Sequence, residues 1–250
     1  MNILVPVKQV PDPNAIRFDA SGNYAANTPK VVNEYDQYAI EEAIRLKEAG
    51  KVNEVVALTV GTVAAKDAVT RALAMGADRG ILVMASESDL TAREVAAIIA
   101  QEARDGGFDF VFVGQETSDG GTGNVGPQLA ALLDYPLISN VVKLEMGDTT
   151  VTMEREVEDG RHVVEVTPPV VVCALTGLNE PRSPSLKGIM AARKKQIEEK
   201  SIAHYESPES QTEWGRLYTE ERVVEGTVIE TDAETAAKQV VELLREKKLI

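Results

Sequence analysis

The chain is poor in the residues from which catalytic and metal centres are built. It has two histidines, His162 and His204, far apart in sequence, and one cysteine. A metal site or a histidine-dependent triad is hard to assemble from that stock. Cys173 sits inside the apolar run from Val170 to Leu175. A lone cysteine there reads as a small core residue in a reducing compartment. Basic residues are scarce: 26 Lys and Arg stand against 40 Asp and Glu, for a net charge of -14. Such an excess repels polyanions and argues against binding to DNA or RNA. No run approaches the roughly 20 apolar residues of a membrane span. The opening Met1 to Lys8 lacks the basic start and long apolar stretch of a signal peptide and reads as a first strand. A cytoplasmic protein is the expectation. There is also no Gly-Lys-Ser/Thr, which excludes the P-loop of the NTPases.

What is present is a regular alternation. At 250 residues and 44% hydrophobic, the chain can bury a sizeable core. Ile3 to Val7 reads as strand one, and a long polar loop from Lys8 to Val32 follows. A loop of that length in a compact domain is usually functional. A helix is expected from Asn33, its N-cap, to Ala49, with Ile40, Ala43, Ile44 and Lys47 on one face. Val52 to Val60 is a strand, and a helix closed by Gly76 comes next. Gly80 to Met84 is the third strand, and Thr91 to Glu94 forms a capping box that opens a third helix. This βαβα order predicts a mostly parallel, doubly wound sheet with helices on both faces. A ligand then belongs beyond the carboxyl ends of the strands, where the loops after Val7, Val60, Met84 and Val113 converge.

The densest signal follows the apolar run Phe108 to Val113. Residues Gly114 to Gln128 read GQETSDGGTGNVGPQ and precede the helical Leu129 to Leu133. A strand, a glycine-rich turn and a helix start make an anion site, because free backbone N–H groups and the positive helix end point at the turn. Gly120, Gly121, Gly123 and Gly126 let the backbone approach a ligand closely, while Ser118, Thr122 and Asn124 add hydrogen-bonding groups. A phosphate-bearing ligand is the first reading; a plain glycine turn with a helix cap is the bland one. Gly121, Gly123 and Gly126 match the dinucleotide spacing. The loop comes after three earlier strand–helix units, however, and the dinucleotide fingerprint follows the first strand.

After Pro136 the pattern changes. Val141 to Glu145, Thr150 to Glu156, His162 to Thr167 and Val170 to Leu175 are short strands divided by turn signals, so antiparallel additions to the sheet are expected. Pro181 to Lys200 carries six basic residues and two acidic ones, a net +4 that leaves -18 for the rest. By charge alone that island is a solvated helix start; a docking patch is the sharper alternative. Ser201 to Thr231 is polar and turn-rich, with Trp214, and reads as an extended arm. Asp232 to Lys248 is a final helix with Ala236, Ala237, Val240, Val241 and Leu244 apolar. The expected division is a nucleotide-binding α/β domain over 1–200 and a partner-contacting arm and helix over 201–250.

With these pieces placed, the chain resembles the small (beta) subunit of the electron transfer flavoproteins over nearly its whole length. The resemblance rests on Val5 to Val10, Ala39 to Lys47, Arg71 to Gly80, the glycine loop and Glu154-Arg155-Glu156. Its most specific parts are Leu178-Asn179-Glu180-Pro181-Arg182 and Ile189 to Lys195. The resemblance implies an adenine-nucleotide-hydrolase-like sheet and a heterodimer with a large (alpha) subunit that holds most of a redox FAD. It implies a structural AMP on the small subunit, its phosphate on the backbone of Asp119, Gly120, Gly121, Thr122, Gly123, Asn124, Val125, Gly126 and Gln128. Pro6, Asn33, Glu34, Tyr35, Asp36 and Val60 would surround the adenosine. Leu186 matches the leucine that anchors partner dehydrogenases, which makes docking residues of Arg193, Lys194 and Lys195. Glu156 matches a carboxylate that restrains the flavin domain.

Two points qualify the resemblance. The first long loop has Asp12-Pro13-Asn14 where many members place an aromatic side chain beside the flavin. One branch of the family holds a second FAD in place of AMP and bifurcates electrons, and Val125-Gly126-Pro127-Gln128 is compatible with it. The expected role is that of an electron-carrier subunit, not an enzyme; an ATP-using or nucleotide-sensing α/β protein is the rival of another class.

Overall fold

The computed structural model describes the chain apart from residues 20, 22, 23, 26, 86–89, 207–211 and 213–225. It forms two compact units, residues 1–216 and 217–250.

The first unit is built on a nine-stranded sheet. In chain order its elements are β1 (Asn2–Pro6), β2 (Gln9–Pro11), β3 (Lys30–Val32), α1 (Glu34–Glu48), β4 (Glu54–Gly61), α2 (Lys66–Met75), β5 (Arg79–Met84), α3 (Ala92–Gly106), β6 (Phe110–Gly114), α4 (Val125–Leu133), β7 (Leu137–Met146), β8 (Val151–Val157), β9 (Gly160–Val166), β10 (Val170–Ala174), α5 (Leu186–Ala192) and β11 (Ile197–Ser201). The strand order is β11-β5-β4-β1-β6-β10-β7-β8-β9, with β2 and β3 forming a separate antiparallel pair. From β11 to β7 every pairing is parallel. Only β8 and β9 add antiparallel neighbours. The doubly wound, mostly parallel sheet with antiparallel additions is thus borne out.

The central strands are continuous apolar runs because both their faces are covered. Ile3 and Val5 of β1 pack with Phe110 and Phe112 of β6 beneath α1 and α2. Leu4, Val56 and Val111 point the other way, toward Ile98, Ile99 and Leu129 of α3 and α4. The capping box is present: Thr91 N–H donates to Glu94 Oε2 at 2.8 Å, and Glu94 N–H donates to Thr91 Oγ1 at 3.5 Å. Gly107, in the left-handed region at φ 60°, ends α3.

Three expectations need correction. The loop from Lys8 to Val32 is not wholly irregular, because β2 and β3 pair across it; three-residue strands are too short to show a period. Val170 to Ala174 is no hairpin strand but the parallel β10, inserted between β6 and β7. Its five consecutive buried residues are the mark of a strand covered on both faces. Finally, Ile197–Ser201 adds β11 at the sheet edge, where Glu198, Glu199 and Lys200 hid the strand. Charge on an edge strand discourages further pairing.

In the second unit α6 (Ala233–Glu246) begins at Asp232, whose Oδ1 accepts the N–H groups of Glu234 and Thr235 at 3.1 and 3.0 Å. Its Val240, Val241 and Leu243 are exposed. The arm expected over 201–231, with Trp214, lies largely outside the described residues.

One close approach is decisive for the fold near the cleft. A Cβ on Gly126, in the first turn of α4, would collide with Cys173 Sγ and crowd Val113. Gly126→Ala should therefore lower stability by about 1–3 kcal/mol, the usual cost of overpacking. Cys173→Ala in the same chain should recover a large part of that loss. Chemical denaturation of the two single variants and the double variant checks the coupling; strictly additive losses would contradict it.

Candidate functional site

The sheet changes direction at β1. The chain passes from β1 to β4 and β5 on one side, then to β6 and β10 on the other. The loops leaving β1 and β6 therefore diverge and open a crevice at their carboxyl ends, the usual ligand position in an open α/β sheet. A cleft enclosing about 160 Å³ lies there. Its floor is the strand ends Pro6 to Lys8, Leu58, Val60, Val113 and Gly114. One wall is apolar: Leu90 with Val95 and Ile99 of α3. The other is the glycine loop, through Gly120 and Thr122 to Gly126.

The loop's backbone explains its glycines. Gly121 and Gly123 lie at φ 59° and 60°, where side chains are strained. A Cβ on Gly123 would also stand 3.3 Å from Gln115 O. Asn124 holds the N-cap position of α4 but makes no side-chain capping bond. The start of α4 therefore offers backbone N–H groups and its positive end at the cleft wall, where Val125 and Gly126 lie. An anion with an apolar body suits this combination.

Behind the cleft, Asn33 and Asp36 tie the loops together. Asn33 is fully buried. Its Nδ2 donates to Asp36 Oδ1 at 3.0 Å and to Glu116 O at 2.8 Å, and its Oδ1 accepts Ser118 N–H at 3.2 Å. Asn33 also occupies the N-cap position of α1, yet it makes no side-chain capping bond there, since it is committed to the glycine loop. Asp36 Oδ2 accepts Lys8 N–H at 2.7 Å. Burial pushes the Asp36 carboxyl up to about 7, although hydrogen bonds from Lys8, Asn33 and Gly114 and the Lys8 charge oppose the rise. At the mouth, Lys8 Nζ pairs with Asp119 at 2.8 Å.

Of the residues singled out from sequence, Pro6, Asp36, Val60, Gly120, Thr122, Gly123, Asn124, Val125 and Gly126 line the cleft. Asn33 and Gly121 stand behind them, and Asp119 reaches the cleft through Lys8. Glu34 is exposed in the first turn of α1. The Tyr35 phenol is pushed up by burial and by the nearby Glu116 and Glu34 carboxylates. Gln128 lies within α4, its N–H donating to Asn124 O at 3.3 Å. Sequence reasoning missed Lys8 and the apolar wall of Leu58, Leu90, Val95 and Ile99. The wall residues carry no local signal, being ordinary core positions that happen to end at the crevice. Lys8 could have been found, as the cation closest to the end of the first strand.

The basic island proves to be divided. Leu186 is 76% exposed at the start of α5, where Ser185 Oγ accepts Gly188 N–H at 3.0 Å. Ile189 and Met190 are exposed beside it, as are Arg193 and Lys194. Lys195 turns inward: its Nζ donates to Leu73 O at 3.0 Å and Ala77 O at 2.5 Å, at the carboxyl end of α2. Arg182 makes paired hydrogen bonds to Glu41 and Glu48 of α1, and Lys200 pairs with Glu102 of α3. Glu156 is exposed on β8, and its backbone carbonyl accepts Asn140 Nδ2 at 3.2 Å.

The family model described as "Electron transfer flavoprotein domain" matches residues 22–204. A Bradyrhizobium diazoefficiens protein named "Electron transfer flavoprotein subunit beta" is 40% identical over 208 residues, covering 82% of this chain and 83% of its own. The Bacillus subtilis protein of the same name is 37% identical over 267 aligned positions, spanning 100% of both chains. The Mus musculus protein of that name is 35% identical over 204 residues, covering 79% of this chain and 80% of its own.

The buried carboxyl gives a pH signature with a definite sign. In the unfolded chain Asp36 ionises near 3.8, whereas in the fold it keeps its proton to about 7. Between those values the native state binds the extra proton, so this group's contribution to stability falls as pH rises through the window. Above the folded value the full cost of burying the charge is present; below the unfolded value there is none. Denaturation of wild type and Asp36→Asn from pH 4 to 8 should show a slope of up to about one proton, present only in the wild type. Parallel pH profiles would contradict the burial argument.

Proposed function

The chain belongs to the electron transfer flavoprotein family as a beta subunit, and on that premise we propose that it holds AMP in the cleft at α4, supports the FAD of a large (alpha) subunit and docks flavin-dependent dehydrogenases through Leu186. Its role is electron carriage and not catalysis. The observation that carries the nucleotide reading is the joining of an uncapped helix start, two left-handed glycines and an apolar wall at one crevice. In this reading the phosphate sits on the N–H groups of Thr122 to Gly126, where helix dipole and backbone donors act together. The adenine lies against Leu90, Val95 and Val60. Asp36, buried on the cleft lining, offers its carboxyl group to the base and sugar. FAD in the same cleft is the second reading.

The flavin supplies the redox chemistry when bound; this chain binds, orients and docks. Glu156, exposed on β8, would meet the flavin domain of the large subunit. Arg193 and Lys194 supply positive charge beside the apolar Leu186, Ile189 and Met190. An exposed apolar anchor with a cationic rim suits a partner with an apolar pocket and acidic surroundings. Lys195, tied to α2, holds the end of this segment in place. The second unit, with Val240, Val241 and Leu243 on one helix, fits a surface of the large subunit. The expected setting is the cytoplasm, and among the described residues no helix is long and apolar enough to cross a membrane. A nucleotide sensor, the rival reading, has no use for the Leu186 segment.

Coexpression with the large subunit should yield a yellow heterodimer. In that heterodimer Leu186→Ala should slow electron transfer from a cognate dehydrogenase by about tenfold, the range of a modest interface hot spot. Flavin and nucleotide content should stay at wild-type level, and the wild-type rate should fall as salt rises. Unchanged dehydrogenase kinetics across a salt series would remove the docking role.

A further inference from the structure

Most cations of the first unit that are turned inward are matched by carboxylates of the same unit. Lys8, Lys47, Arg79, Arg182 and Lys200 all sit in ion pairs. Arg155 is different. Among the described residues no carboxylate pairs with its guanidinium, in a chain whose net charge is -14. Its Nη2 donates to Ser139 Oγ at 2.9 Å, and its Nε is buried without a hydrogen-bond partner. An N–H of a cation taken out of water with no acceptor is costly. A buried unsatisfied donor calls for an explanation, an ordered water or a partner group among them, and the side chain as a whole is only half-buried.

The position of Arg155 says what that partner can be. Val151 and Met153 of β8 are buried on one face, and Arg155 is the next residue on that face. In register it lies between Val141 of β7 and His162 of β9. Val141 is level with Ala174, the last residue of β10. The guanidinium thus stands at the carboxyl-end rim of the sheet, in the wing made by β7, β8 and β9. Of the charged groups in register around it, His162 faces Asp159 at 3.7 Å, Glu154, on the opposite face of β8, is held by Lys143 at 3.1 Å, and Arg161, opposite Glu156 on β9, reaches Glu154 at 3.9 Å. Glu156, its chain neighbour on that opposite face, is exposed and makes no ion pair among the described residues. One strand end therefore presents an unmatched base and an unmatched acid on adjacent residues.

Arg155 lines neither the cleft at α4 nor the recess beside the β2–β3 hairpin formed by Lys30, Gln37 and Arg71. A carboxylate carried on a protein surface needs no cavity to reach it. We propose that Arg155 receives a carboxylate of the large subunit, so that β8 offers that subunit a base and an acid side by side. This inference rests on the reading of the chain as one half of a heterodimer. With Nη2 fixed by Ser139, the planar fork is already oriented, and a charge-assisted bond at a partly desolvated rim is strong. Lysine, a point donor, cannot reproduce the fork.

The test uses the heterodimer made by coexpression, in wild-type form and with Arg155→Gln, Arg155→Lys or Lys66→Gln. Lys66 pairs with Glu199 at the other end of the sheet and serves as a control of equal charge change. The subunit dissociation constant is measured by sedimentation over a salt series, with flavin and nucleotide content and melting temperature recorded for each. Arg155→Gln should weaken association by about tenfold or more and flatten its salt dependence. Arg155→Lys should fall between it and the wild type, and it carries the test alone if Arg155→Gln does not fold. Lys66→Gln should match the wild type. Equal dissociation constants and salt slopes in wild type and Arg155 variants would overturn the proposal. So would a loss confined to flavin or nucleotide content, or to melting temperature, with subunit affinity intact. Failure of the wild-type subunits to associate at all would instead refute the heterodimer reading.

Discussion

The carboxamide of Asn33 joins three segments that the chain keeps far apart. It holds Asp36 at the start of α1, Glu116 O and Ser118 N–H in the glycine loop, while the backbone N–H of Asn33 donates to Lys8 O at 2.9 Å beyond β1. No water competes at a side chain with no exposed surface. A planar carboxamide meets the need, since the group must donate twice and accept once. With that joint made, the loop after β6 is fixed relative to the loop after β1, and the crevice between them has a defined width. Asp36 adds the polar floor. The cleft, the exposed start of α4 and the Lys8–Asp119 pair at the mouth all take their positions from it.

Much of this was legible in the sequence, for reasons particular to each element. Parallel strands such as Ile3–Val5 and Phe110–Val113 announce themselves because burial on both faces demands unbroken apolar runs. Thr91 and Glu94 announce α3 because a capping box is a local device. The glycine loop is legible because left-handed backbone at Gly121 and Gly123 leaves few alternatives to glycine. What escaped was set by long-range pairing. The place of β10 between β6 and β7 depends on a crossover, and Pro168-Pro169 looked like a hairpin turn. Lys195 and Arg182 read as surface charge because their acceptors, on α2 and α1, lie more than a hundred residues away. The apolar wall of the cleft was invisible for the same reason.

Charge is divided between architecture and recognition. Arg182 anchors the segment before α5 onto Glu41 and Glu48, and Lys195 anchors the segment after it onto α2. Between these anchors Leu186, Ile189 and Met190 are held out from the surface with Arg193 and Lys194. The inward cations make a rigid platform and the outward ones give it a sign, on a body that is otherwise acidic. In the docking role proposed above, such a preset surface leaves little ordering to be done on contact.

The central claim is that the crevice at the start of α4 holds an adenine nucleotide on backbone N–H groups. Nucleotide extracted from the purified heterodimer, identified by chromatography and mass spectrometry, tests it most directly when wild type is set against Gly123→Val. The wild type should release one adenine nucleotide per heterodimer in addition to the flavin of the large subunit, and Gly123→Val should release little of it, because a branched side chain at a left-handed position cannot let the backbone close on a phosphate. Full nucleotide content in Gly123→Val, or none in the wild type, would contradict the account.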